Sequence, residues 1–485
     1  MKKWVAVLMA VVVGNVLAVE EMPRKTGPVE PFKIWKDVPN TELKKFTAPV
    51  GTRYELSNGM VVFLLEDHEL PIVDLSITVK AGEIHEPAEM LGIASATASI
   101  MRSGGSQKYP GDKLDEILEN MAAEVHVGSG SDSGSAGLSC LKEDFDKGLE
   151  ILVDVLKNPE FPKDKIDLHL SHMRTGILKR NDQPGSIIGR EFKLKLYGKD
   201  NPYARVTELA NLAKIDRSAL QAYHAKIYHP NMFIMGVVGD FKKEEMLAKL
   251  KTAFEPWPKV EVPLPAVAPI PTEHVKRTLF VERPKLNQTT IMMGHVVDMR
   301  RDSVDYAAIQ LMNEVLSGGM STRLFTEVRT KKGLAYSVFG SAQIYYNRPG
   351  LFYCSALTRN EQAVETLDAM LEEVVKLKEK GVTDKELEEA RQSLLNSFVF
   401  NFDSPSKIIG RQITYEFYGY PMDFAEKLME SIKKVTVADV NRVAAKYLDP
   451  ANMQFMGVGN TERVDPAKSF AKLPGVEILD VTIPK

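Results

Sequence analysis

The segment AYHAKIYHPNMFIMGVVGD, from Ala222 to Asp240, returns in altered form as VAAKYLDPANMQFMGVGN, from Val443 to Asn460. A repeat whose period is close to half the chain requires two copies of one structural unit, because each copy must bury the same apolar positions in the same way. Each copy runs from a helical pattern through a Tyr and a proline turn (Pro230, Pro450) into an apolar strand closed by a glycine (Gly239, Gly459). The match continues upstream through NPYARVTELANLAKIDRSALQAYH and YPMDFAEKLMESIKKVTVADVNRVA.

Between the copies, PWPKVEVPLPAVAPIPTEH carries six prolines from Pro256 to Pro271. Proline fixes φ and removes a backbone donor, so this stretch is read as an extended linker. The expected organisation is a first domain over 46–257, a linker over 258–273 and a second domain over 274–485. Within each half, alternating strands (MVVFLLEDH, IVDLSITVKAG; TTIMMGHVV, GLFYCSAL) are mixed with long helical patterns such as KEDFDKGLEILVDVLKN and NEQAVETLDAMLEEVVKLKEKG. Strands that follow other strands do not suit a doubly wound parallel sheet. The fold class is therefore α+β, two homologous domains, each a largely antiparallel sheet layered with helices.

The 485 residues carry a formal charge of −3 and are 44% hydrophobic, a balance without the basic excess of a nucleic-acid binder. The start, MKKWVAVLMAVVVGNVLAVEE, has two lysines, an apolar run and the small-residue pattern Val16-Leu17-Ala18. It is read as a secretory signal peptide over 1–18, because the run is shorter than the ~20 apolar residues that a membrane anchor needs. An exported protein without a membrane span is expected, with an irregular arm over 19–45 and the periplasm as its location. Such a compartment permits a disulfide, but Cys140 and Cys354 occupy corresponding places in separate halves and are read as two buried thiols.

Three segments in order, LSNGMVVFLLEDHELPIVDLSITVKAGEIHEPAEMLGIA, LYGKDNPYARVTELANLAKIDRSALQAYHAKIYHPNMFIMGVVGDF and LSGGMSTRLFTEVRTKKGLAYSVFG, make the chain resemble the pitrilysin/insulinase metallopeptidases. That family includes the mitochondrial processing peptidase subunits and the bc1 core proteins. In its active members the helix after the first hairpin carries HxxEH, two zinc-binding histidines one turn apart with a glutamate base between them. The resemblance places those roles on Ser95, Ala98 and Ser99, within GIASATASIMRSGG. Serine hydroxyls are not among zinc's usual ligands and alanine offers no base, so no metal is expected in this chain. The family's third ligand, a glutamate, would fall near Thr175 or Gly176 and is absent too. His169 and His172 share a helix face but lack a carboxylate at ligand spacing, and are read as a solvated surface. His68 and His85, with Glu83 and Glu86, are read as polar loop residues.

In RLFTEVRTKKGLAYSVFG, Arg329 and Tyr336 match an Arg and a Tyr that the zinc-free half of the family's members lends to the active site. The resemblance implies that Arg329 contacts the substrate backbone and Tyr336 helps to stabilise the oxyanion. A phenol of pKa about 10 stays a donor at neutral pH, and a guanidinium presents a fixed fork of donors. A second reading pairs Arg329 with Glu327 or Asp302 on the surface and lets Tyr336 cap a sheet edge. Gly318 and Gly319, before Ser321 and Thr322, form either a flexible substrate-touching loop or a plain turn between helices. VGSGSDSGSAGLSC is read as a polar strand able to pair with an extended peptide or a partner.

The expected function is a catalytically incomplete subunit of a periplasmic zinc metallopeptidase. It would complete the cleft of a homologous HxxEH partner that holds the zinc and cleaves peptides. The alternative is a non-catalytic scaffold like the bc1 core proteins. An independent enzyme has no support from a GxSxG elbow, a Cys–His pairing or a phosphate-binding loop.

Overall fold

The computed structural model describes residues 50–462, 464, 465 and 468–484. The expected signal peptide and the whole of the expected arm lie outside the described residues. Residues 48–485 form one compact unit, built on two six-stranded sheets. The first contains β1 (Thr52–Glu55), β2 (Val61–Glu66), β3 (Ile72–Val79), β4 (Glu124–Ser129), β5 (Gly134–Leu141) and β6 (Phe233–Gly239) in the order β1-β2-β6-β3-β5-β4. The second contains β7 (Arg277–Glu282), β8 (Gln288–Val297), β9 (Ala335–Gln343), β10 (Gly350–Arg359), β11 (Gln454–Gly459) and β12 (Val476–Ile478) in the order β12-β7-β11-β8-β10-β9.

Five strands in each sheet follow the same path, so the halves are copies of one α+β design, as the repeat requires. Most neighbours run antiparallel; β2–β6, β7–β11 and β12–β7 are parallel. The repeated segment supplies β6 and β11, which lie at the middle of their sheets and are buried almost throughout. That placement explains their near-continuous apolar sequence, since a central strand covered on both faces cannot alternate with polar residues.

Six helices bear on function: α1 (Ile93–Gly104), α2 (Lys163–Lys179), α3 (Pro184–Tyr197), α4 (Tyr306–Ser317), α5 (Asp384–Ser397) and α6 (Pro405–Tyr418). One face of each sheet packs on helices of its own half. In the first half Val62, Leu64, Phe233, Met235 and Val237 meet Ala96, Ala98 and Ile100 of α1 in one core. The opposite faces are covered by exchange. Ile409 and Ile413 of α6, from the second half, pack on Val61, Phe63, Ile234 and Val238 of the first sheet. Ile187, Ile188 and Phe192 of α3, from the first half, pack on Leu279, Val281, Met456 and Val458 of the second.

Polar groups fasten the exchange at the same places. The Gln412 side chain accepts from Gly51 N at 2.7 Å and donates to Gly51 O at 3.2 Å, while Gln454 Nε2 donates to Phe192 O at 2.9 Å. A third link joins the hairpin tips. Asp132, in the β4–β5 turn, receives Arg348 Nη1, in the β9–β10 turn, at 2.9 Å on both oxygens, and both side chains are largely buried. Tyr203 Oη donates to the same carboxylate at 3.1 Å, and the guanidinium lies 4.1 Å from the Tyr203 ring centroid and 4.0 Å from that of Tyr345. The polar stretch VGSGSDSGSAGLSC is thus a hairpin whose tip is committed to contact between the halves.

The proline linker is strapped down. Ile270 is buried beside Tyr197, Ala204 and Val296, and Asn201 Nδ2 donates to Pro269 O at 3.0 Å. Cys140 and Cys354 are free and buried, one in each sheet. Among the described residues no helix is long and apolar enough to cross a membrane.

Gly236 marks the tightest point of the exchange, because a Cβ there would overlap Ile409 Cγ2. Gly236→Val should destabilise the protein by about 1–3 kcal/mol through overpacking. Adding Ile409→Ala should recover part of that loss in a double-mutant cycle read by denaturant unfolding. Strict additivity of the two changes would show that α6 does not rest on Gly236.

Candidate functional site

The helix α1 begins at Ile93 and ends at Gly104, where Gly105 adopts φ +67. Ser95 and Ser99 lie one turn apart and are half-buried; Ala98 is fully buried in the first core. The helix packs against α2, on which Thr175 and Gly176 are exposed. The two helices on which the family resemblance would put a zinc centre therefore pack together. The side chains there do not fit the ion: two neutral hydroxyls, a methyl group and a threonine or glycine supply neither imidazole nor carboxylate. Among the described residues no group of three His, Cys, Asp or Glu side chains is placed to hold a metal.

His169 and His172 are neighbours on α2, but only His172 is solvated. His169 is half-buried and its Nε2 has no hydrogen-bond partner. Burial, with His172 beside it, pushes the His169 imidazole down, toward the neutral form. His68 sits on Asp240 Oδ1 at 2.5 Å, which makes it part of a surface ion cluster with Lys142.

The expectation that Glu86 is a polar loop residue is corrected. Its side chain is buried and receives Gly92 N at 2.9 Å and Ala94 N at 2.7 Å, so it caps the N-terminus of α1. Arg205 Nη1 holds the loop by donating to Glu86 O at 3.1 Å. The orphan amides at a helix start need an acceptor, and here the acceptor reaches back from six residues upstream of Gly92, outside the usual capping spacing. Burial raises the Glu86 carboxyl to about 7, against the opposing pull of the two amide hydrogen bonds.

In the second half, Phe325–Lys331 forms a π-helical turn, a form common at functional sites. Gly333, at φ +63, then turns the chain into β9. Ala335 stands opposite Thr358 and Ser337 opposite Leu357, so Tyr336 has no partner across the ladder. It is a β-bulge, a device that re-aims a side chain. Tyr336 is 72% exposed, and the Arg329 guanidinium lies 5.5 Å from its ring centroid and 4.7 Å from that of Phe325. The alternative partners of Arg329 are engaged elsewhere, Glu327 with Lys331 at 2.7 Å and Asp302 with Arg300 at 3.0 Å. Arg329 and Tyr336 thus form one exposed cluster with both donor groups facing solvent.

The Gly318–Gly319 pair is exposed and ends α4, but Gly318 keeps helical angles (φ −73, ψ −10). Its conformational freedom is unused. The loop is closed by Thr322 Oγ1 donating to Gly319 O at 2.5 Å. A pocket of about 260 Å³ borders it, where Arg323 is bound to Glu386 at 2.7 and 2.8 Å.

Comparison with known proteins places these features. The family described as Insulinase (Peptidase family M16) matches residues 61–191, and the Peptidase M16 inactive domain matches residues 214–394. A protein named non-peptidase homolog YmxG, from Helicobacter pylori, is 23% identical over 85% of this chain and 95% of its own length. The peptidase M16 inactive domain of Pseudomonas fluorescens superposes with a TM-score of 0.77 at 26% identity, over 86% of this chain and 99% of that one. The periplasmic protease PqqL of Escherichia coli superposes at 0.72 and 14% identity, over 88% of this chain but only 50% of its own.

The Glu86 cap sets a pH dependence. A carboxyl whose folded value is raised to about 7 stabilises the fold fully below its ordinary value near 4.5 and loses that contribution as pH rises through 7. Melting curves should show the wild type losing about 1–3 kcal/mol more than Glu86→Gln between pH 4.5 and pH 7.5. Parallel pH profiles of the two proteins would refute the assignment.

Proposed function

We propose a function on the footing that this chain belongs to the M16, or insulinase, family of peptidases: it is a catalytically incomplete subunit that lends donors to a partner's zinc site. The observation that carries the reading is an asymmetry. The first half has lost every ligand and the base, while the second half holds Arg329 against the bulged Tyr336, both exposed and, among the described residues, without an ion pair or hydrogen bond of their side chains. A fold that had become only a scaffold would not need to keep two unpaired donors in solvent.

The partner is a homologous chain carrying HxxEH, and it holds the zinc that activates water. The family match over both halves supports this, as does the likeness to PqqL, of which this chain spans half. In the joined cleft Arg329 donates to the carbonyls of an extended substrate and fixes its main chain. Tyr336 Oη donates to the oxygen of the scissile carbonyl as it becomes an oxyanion. The edge strand β4 offers main-chain groups to the same substrate, and the Gly318–Gly319 loop borders it. A signal sequence over 1–18 delivers the chain to the periplasm.

The test is co-expression with the HxxEH homologue. The chain alone should bind no stoichiometric zinc and cleave nothing, and the mixture should cleave unstructured peptides. Tyr336→Phe should lower kcat of the mixture by about 10²–10³, the usual loss for one oxyanion donor, without lowering the melting temperature. An unchanged kcat would overturn the role given to Tyr336, and a mixture no more active than the partner alone would favour the scaffold.

A further inference from the structure

A cavity of about 700 Å³ opens on the second sheet, and its lining includes Ser337, Val338 and Phe339, the residues of β9 that follow Tyr336. Its floor is made by Ser337 and Phe339 of β9 with Ser355 and Leu357 of β10, and α3 begins at its wall with Pro184 and Gly185. Lys285 is the one charged residue among those lining it, is exposed, and has no ion pair among the described residues. Phe339 is 44% exposed, a large apolar ring that rests on Tyr353 at 5.9 Å between centroids and otherwise faces the opening. The cause is visible in the exchange, because α3 starts short of this corner of the sheet.

The cavity lies at the end of an open edge. β9 is the last strand of its sheet, and at Ala342 the Asn313 side chain takes both main-chain groups, donating to the carbonyl at 3.0 Å and accepting from the amide at 2.8 Å. Alternate residues of a strand turn their main chain the same way, so Gly340 and Val338 also face outward. Gly340 is buried. The accessible edge is therefore Val338 and the bulged Tyr336, next to Ser337 and Phe339, the residues that β9 gives to the cavity floor. A peptide added there would lie ~4.8 Å from β9 and would point every second side chain toward Phe339 and the cavity mouth.

We infer that this cavity is a side-chain subsite for an extended peptide with a large apolar residue against Phe339 and an acidic residue nearby. Lys285 favours the acidic residue and repels a basic one. The inference rests on the reading of the chain as a substrate-binding subunit and names the class of substrate. The apolar lining supplies the affinity, and the single cation supplies the choice between flanking charges.

Fluorescence anisotropy on the full chain, without zinc or partner, tests it. The probes are labelled ten-residue Gly/Ser peptides with a central Phe or Ala, and Phe peptides with Asp or Lys two residues away. The Phe peptide should bind roughly tenfold tighter than the Ala peptide, and Phe339→Ala should remove most of that difference. The Asp peptide should bind better than the Lys peptide, and Lys285→Glu, a change at an exposed position, should invert that order. No binding, equal binding of the Phe and Ala peptides, or an order unchanged in Lys285→Glu would each overturn the inference. Because no cleavage is read, failure of the mixed subunits to digest peptides would leave these affinities standing, and loss of the affinities would not depend on the partner.

Discussion

Everything in this molecule leans on the reciprocal placement of α3 and α6. A six-stranded sheet has two apolar faces, and each half has enough helices to cover only one of them. The second face of each sheet is closed by a helix that belongs to the other half, through Ile409 and Ile413 in one direction and Ile187, Ile188 and Phe192 in the other. Burial of apolar surface is the dominant favourable term in folding, so neither half can reach its native core alone. The tip-to-tip pair of Asp132 and Arg348 adds a polar link between them. Both side chains are largely buried, and removal of one partner would leave the other charge with less compensation.

That constraint explains how the chain can keep its fold while its chemistry has gone. In α1 the positions that would carry a metal site are Ser95, Ala98 and Ser99, and Ala98 is now fully buried in the first core. A helix that once needed to present ligands can be rebuilt with small side chains as long as its packing against the sheet holds. The capping carboxylate of Glu86 secures the start of that helix independently of any metal. The second half has followed another course. Its donors stand on a bulge and a π-helical turn, and the same turn that buries Val328 in the second core leaves Arg329 exposed.

Much of this was legible in the sequence. The repeat ending at Gly239 and Gly459 announced two copies of one unit and an apolar strand in each, whereas β2, read as an alternating strand, is buried along most of its length. The loss of metal ligands could be read from Ser95, Ala98 and Ser99 once the family resemblance had placed the ligand roles there. What the sequence hid was any feature made by distant residues. That α6 lies on the first sheet cannot be read from its amphipathic pattern, which shows that a face is buried but not against what. Glu86 was hidden for a related reason: it caps from outside the local spacing that marks a helix start. The helical angles of Gly318 were likewise invisible, since a glycine permits unusual backbone without requiring it.

The exchange of helices also bears on how such a chain could have arisen and how it can change. Two identical units that swap one helix each make a symmetric dimer, and joining them through a strapped linker turns that dimer into a single inheritance. Once joined, the copies are no longer obliged to match. One is free to surrender its reactive helix and the other to sharpen a surface, while the swapped helices hold both to a common shape.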